Sequence, residues 1–301
     1  MKRIIFLMAI LTGLVLLMMG TGCDSSKDPV SNQQGDTTAA NFQFVDSAFG
    51  EDIFSSFDIS LNMSLALLDE IEGITMSPSK STPLAALGDG SDEIEITLVD
   101  SFLFTPEYWY VFIFHGTIID GFDTININGI DSIQLLNDGT PLTMEIMPLV
   151  FNGVKVRAHV NGETNNGTTI GSHHRVDFEV NVTDTDSVAT IDGTAHDTIA
   201  IAWADDVTTC ELEMASVTTV DGLELLLNGG DDCPLDGTIS VTMAIDMDCT
   251  GDSPIGWDQL NIDGTWTMTA VVNGNRTITV TISDGTTTWT TTETLDCGPS
   301  A

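Results

Sequence analysis

The groups with most scope for chemistry in this 301-residue chain are carboxylates: 45 Asp and Glu stand against 8 Lys and Arg, a formal net charge of −37. Several crowd together on segments that read as loops, namely Asp231 and Asp232 with Asp236, and Asp246, Asp248 and Asp252. Calcium takes about six to eight oxygen ligands, and alternating carboxylates on a tight loop supply several of them. None of these stretches has the full spacing of an EF-hand loop. Calcium is therefore the one cofactor that the residue types put forward, against the plainer reading of a solubilising acidic surface. A field of this sign repels nucleic acid and anionic lipid headgroups, so nucleic acid is excluded as a partner.

Two further groupings stand out. His173-His174 offers neighbouring imidazoles, but successive strand residues point to opposite faces, so the pair reads as two separate surface residues rather than a metal site. Tyr108, Trp109, Tyr110, Phe112 and Phe114 form the most aromatic run in the chain. A strand apolar on both sides is either buried twice or walls a cavity; the second option makes these residues, with Leu61 and Leu65, the wall of an apolar ligand site. No GxSxG, HExxH, P-loop or GxGxxG context is present. With 45 carboxylates some pair always stands at glycosidase spacing, so such a pair carries no information, and no catalytic residue is assigned.

The elements that must position these groups fall into two kinds. Between residues 42 and 76 apolar residues alternate in places, yet Phe54, Phe57, Leu61, Leu65, Leu68 and Ile71 also recur at helical spacing. The Leu, Met, Ala and Glu content of residues 63–72, with Gly73 placed as a C-terminal cap, favours one amphipathic helix. Residues 77–92, with two prolines and Gly88-Asp89-Gly90, read as a linker. From residue 93 to 297 short alternating runs are punctuated by Asx-Gly dipeptides, among them Asp120-Gly121, Asn128-Gly129, Asp138-Gly139, Asn152-Gly153, Asp192-Gly193, Asp221-Gly222, Asp236-Gly237, Asp263-Gly264, Asn273-Gly274 and Asp284-Gly285. Asx-Gly between alternating runs is the strongest local hairpin signal, and there is no room for crossover helices. The predicted fold is all-β dominated: an antiparallel meander forming a barrel, a curled half-barrel or a sandwich, with the helix packed on it.

Cysteine usage points outside the cytoplasm. Cys210, Cys233, Cys249 and Cys297 are an even set in the last third, with no CxxC pair, and read as two disulfides. A hairpin turning at Val220-Asp221-Gly222 would bring Cys210 opposite Cys233 and leave Cys249 for Cys297. A strict up-and-down count instead puts Cys249 at the end opposite the other three.

The address is written at the N-terminus. Lys2 and Arg3 precede the apolar stretch Ile4 to Met19, and the small residues Gly20, Thr21 and Gly22 follow, the layout of a secretory signal peptide. The stretch is short for a bilayer span, which needs about 20 residues. Cys23 comes next, and Thr21-Gly22-Cys23 resembles the end of the lipobox of bacterial lipoprotein precursors. The resemblance, which covers residues 1–23 alone, implies cleavage before Cys23, acylation of its thiol, and anchoring of an exported chain in the bacterial cell envelope. The leader is then 1–22, and the polar segment 23–41 becomes a flexible tether. Loss of Lys2 and Arg3 leaves six basic against 45 acidic residues, a charge of −39.

Three functions fit this organisation: a lipid-anchored protein binding an apolar small molecule between sheet and helix, a structural or adhesive surface module without a ligand, and a hydrolase of unrecognised type. A sizeable apolar cavity favours the first, a filled core the second, and a cleft with convergent carboxylates the third. The anchor itself is directly testable. In a lipoprotein-competent bacterium the protein should incorporate palmitate and partition into detergent, and Cys23→Ser should abolish both; equal labelling of the serine variant would show that Cys23 carries no lipid.

Overall fold

The computed structural model describes residues 83–84, 93–104, 107–120, 123–142, 152–165, 168–183, 188–204, 208–226, 234–251, 261–274 and 276–294. The leader, Cys23, the tether and the helical segment with Leu61 and Leu65 lie outside the described residues, as do Asp231, Asp232, Cys233, Asp252 and Cys297.

The described chain is a succession of strands: β1 (Pro83–Leu84), β2 (Glu93–Phe104), β3 (Trp109–Asp120), β4 (Asp123–Asn137), β5 (Thr140–Pro141), β6 (Gly153–Asn165), β7 (Thr168–Thr183), β8 (Val188–Ala204), β9 (Thr208–Leu226), β10 (Pro234–Gly251), β11 (Asn261–Val272), β12 (Thr277–Ser283) and β13 (Thr288–Thr294). Twelve of them lie side by side in chain order as one antiparallel sheet, and β5 pairs with β4 alone. The all-β antiparallel expectation is met. A closed barrel is not: among the described residues the path begins at β1 and ends at β13 with no pairing between them. The expected linker contributes β1, whose Pro83 sits on an edge strand, where a missing N–H costs the ladder nothing.

Alternation explains why one side of this sheet is dry. Along β10, Ile239, Val241, Met243, Ile245, Met247 and Cys249 are buried while the residues between them meet solvent. Directly paired residues of neighbouring strands share a face, so the apolar phase continues across the sheet through Leu212 and Met214 of β9, Val176 and Phe178 of β7, and Val156 and Ala158 of β6. We call this side the inner face and the polar side the outer face.

The strands are long, β9 reaching 19 residues, because half of the expected turns do not turn. Asp138-Gly139, Asn273-Gly274 and Asp284-Gly285 do sit at hairpin ends, and Asp138 and Gly139 both take positive φ, at 48° and 72°, as a tight primed turn requires. Asn128-Gly129, Asp192-Gly193, Asp221-Gly222, Asp236-Gly237 and Asp263-Gly264 lie inside strands instead. Gly129 leaves room for the Phe114 ring, whose Cζ would stand 2.5 Å from an added Cβ. Three of the others mark bulges. The register shifts between Ile191 and Gly193 of β8 and again between Pro234 and Thr238 of β10, both opposite Asp221-Gly222 of β9. Asp192 Oδ1 accepts a hydrogen bond from the Gly222 N–H at 2.8 Å, which holds the bulge together. Bulges bend and twist a strand, and here they line up across three neighbouring strands.

The same fact corrects the disulfide pairing. β9 continues through 220–222 without turning back, and Cys210 is paired directly with Cys249 on β10, with a Cα–Cα distance of 4.2 Å, the two forming a disulfide. The pairing Cys210–Cys233 with Cys249–Cys297 is overturned. The bridge joins positions 39 residues apart, and closing a loop of that length restricts the unfolded chain by about 4 kcal/mol in the chain-entropy picture.

The bulge line should be intolerant of side chains. An added Cβ on Gly193 would meet the Phe178 ring and lie 2.5 Å from the Asp177 carbonyl oxygen, so Gly193→Ala should lower unfolding free energy by about 1–3 kcal/mol, the usual cost of overpacking. Urea titration measures this, and an unchanged midpoint would mean that the bulge does not hold the two strands this closely.

Candidate functional site

One line of directly paired residues crosses the middle of the inner face: Leu98, Phe114, Gly129, Val160, His174, Asp197, Ser216, Met243 and Trp266. At its centre three polar side chains stand on adjacent strands, His174 on β7, Asp197 on β8 and Ser216 on β9, all buried. Thr218, two residues along β9 from Ser216, is buried on the same face, as is Asp131 of β4 in the row through Phe112, Ala158 and Val176. These groups come inward because their positions are in phase with apolar neighbours: His174 with Val176, Phe178 and Val180, and Ser216 and Thr218 with Leu212, Met214 and Val220.

The contacts define what the cluster can do. His174 Nδ1 hydrogen-bonds Asp197 Oδ1; a carboxylate only accepts, so Nδ1 carries the hydrogen and the ring orientation is set. His174 Nε2, Ser216 Oγ and Thr218 Oγ1 have no hydrogen-bond partner among the described residues. Each such buried atom costs about 1–3 kcal/mol unless something satisfies it, and nearly all buried polar atoms in folded proteins are satisfied.

The residue types invite comparison with a Ser-His-Asp triad, and the order forbids it. In a triad the imidazole lies between nucleophile and carboxylate, taking the hydroxyl proton on one nitrogen while the acid holds the other. Here Asp197 lies between His174 and Ser216, on the strand separating theirs. Ser216 is not activated, and the arrangement is an oriented hydrogen-bonding group in apolar surroundings.

The sequence-derived candidates are distributed as follows. The aromatic run splits by alternation: Phe112 and Phe114 are buried inward and Tyr110 shares their face, where burial pushes its phenol above its ordinary value. Trp109 faces outward beneath Arg157, whose guanidinium carbon lies 4.4 Å from the ring centroid. Tyr108 sits in the turn before β3 at φ 58°. His173 and His174 do take opposite faces, but His174 is buried and not on the surface as expected; the strand phase carries it inward. His173 faces outward, its Nδ1 2.7 Å from Asn161 Oδ1 and its ring edge-on to His159 at 4.5 Å. Burial and then the neighbouring His159 hold its pKa below the ordinary histidine value. Asp246 and Asp248 are on strand β10 and not on a loop, while Asp236 is on the same strand ten residues away, about 33 Å at strand rise. Among the described residues no group of three His, Cys, Asp or Glu converges as a metal site.

Asp131, Asp197, Ser216 and Thr218 were not among the sequence-derived candidates, and His174 was read there as a surface residue. The signal was present as polar residues falling in an apolar phase, which alternation reveals once strand boundaries are known.

Removing a hydroxyl that has no partner should stabilise the fold. Thr218→Val keeps the shape and should raise unfolding free energy by about 1 kcal/mol; a loss of stability in urea titration would show that the hydroxyl is hydrogen-bonded within the protein. Comparison of the chain with protein-family models, with curated proteins and with solved structures finds no match, so the chemistry of the inner face carries the functional reading by itself.

Proposed function

We propose that this is an exported, lipid-anchored protein of the bacterial cell envelope whose sheet, curled along its line of bulges, receives an amphiphilic small molecule against the inner face. The observation that carries this reading is the set of buried atoms His174 Nε2, Ser216 Oγ and Thr218 Oγ1, without a hydrogen-bond partner among the described residues, in otherwise apolar surroundings. A ligand with an apolar body and one polar end, a hydroxyl or a carboxyl group, would satisfy them while contacting Phe112, Phe114, Met243 and Trp266. Ligand sites are mostly apolar with a few placed polar groups, and Asp197 orients the imidazole as such a site needs. The N-terminal amphipathic stretch with Leu61 and Leu65 would cover the ligand from the open side.

A structural module without a ligand is the second reading. It is favoured by the complete exclusion of water from Met243 and Met247, both 0% exposed, as in a core already filled.

The two separate on one preparation. Full-length protein extracted in detergent and treated with organic solvent should release an amphiphile in near-equimolar amount, detected by mass spectrometry. Ser216→Ala combined with Thr218→Val should stay folded and release at least tenfold less. No extractable amphiphile from the wild type would establish the structural module.

A further inference from the structure

The outer face segregates charge. Of the four Lys and Arg among the described residues, Lys155, Arg157 and Arg175 lie on the outer side of β6 and β7. Lys155 and Arg157 pair with Glu179 at 2.8 Å and Asp177 at 3.0 Å. Arg175 has no carboxylate partner among the described residues and is flanked in its row by His159 and His196, its direct partners on β6 and β8. His173 is one row along. Three strands away the same face carries the opposite arrangement: Glu213, Asp246 and Asp263 are directly paired across β9, β10 and β11, with Glu211 paired to Asp248 in the next row, all five exposed. Like charges placed directly opposite in a sheet are destabilising, so the acidic row is unfavourable where it stands.

We propose that the outer face is a self-association surface, on which the Arg175 and histidine row of one copy docks on the Glu213, Asp246 and Asp263 row of a second copy of this chain. The geometry is self-complementary. From Arg175 to Asp246 is three strands across and two rows along, about 20 Å. A two-fold axis lying in the face and bisecting that line passes close to Thr198 and Ala215, which are directly paired. Around it Val217, Thr242 and Ala244 are exposed and short, so two such sheets can approach closely. An isologous contact then makes the basic-to-acidic match twice, and relieves the acidic row on both copies. Both patches with the strip between them span a surface comparable to the roughly 800 Å² per partner of a standard interface.

Charge reversal on the full chain in detergent tests this, read as energy transfer between differently labelled copies. Wild-type copies should associate at low salt and separate at 1 M salt, where the Debye length is about 3 Å. Arg175→Glu should weaken self-association at least tenfold, and so should Glu213→Lys with Asp246→Lys. The two variants mixed together should associate again, since each reversed patch then meets its opposite. Wild-type copies that stay separate at low salt, self-association unchanged in either variant, or a mixture that fails to recover, would each overturn the proposal.

Discussion

The register between β7, β8 and β9 decides which groups are buried and which meet water, because directly paired residues share a face and a slip of one residue exchanges the faces. In the observed register Val176, Phe178 and Val180 of β7 face inward with Ala195 of β8 and Met214 and Val220 of β9. The polar residues His174, Asp197 and Ser216 are carried inward with them. A one-residue slip of β8 would put Thr198 beside His174 and leave the imidazole without its carboxylate, while sending Ala195 out to water. Apolar burial, at roughly 25 cal/mol per Å², thus holds in place a cluster that would not assemble by its own interactions.

Much of this was legible in the sequence, and the limit is physical. Alternation along residues 239–247 and 266–272 reads as strand, and its phase predicts the buried side chains one by one. Asx-Gly is ambiguous at the level of one dipeptide, because a positive φ serves a hairpin turn and a bulge equally well. Asp138-Gly139 turns the chain and Asp221-Gly222 does not; what separates them is whether the residues beyond have partners on the strands to either side. That information is long-range. From the misread turn at 220–222 followed the misassigned cysteine partners, since the chain reaches Cys249 only after β9 has run its full length.

The inner polar cluster was illegible for a related reason. Each member is ordinary alone: a histidine beside another histidine, a serine and a threonine in a Thr-rich chain, one aspartate among dozens of carboxylates. Phase places each of them inward, but only the pairing of three strands puts His174 against Asp197 and Asp197 against Ser216. The pairing also removes the reading that the residue names suggest. With the carboxylate in the middle, the imidazole cannot relay a proton from the hydroxyl.

The two faces set opposite conditions for electrostatics, which is why polar groups on each ask for a partner of a different kind. On the inner face the surroundings are apolar, a charge is costly to bury, and an unpartnered dipole is already a penalty of the order of a hydrogen bond. What satisfies it must be small enough to enter and apolar enough to stay. On the outer face water screens each pair, so that Lys155 with Glu179 contributes at most about 1 kcal/mol. There a single charge decides little and a row decides more. Lys155 and Arg157 each stand against a carboxylate of β7. Arg175, set between His159 and His196 with no carboxylate partner among the described residues, differs from them, and the sheet register that assembles the inner cluster also creates this row, since both lie on β6, β7 and β8.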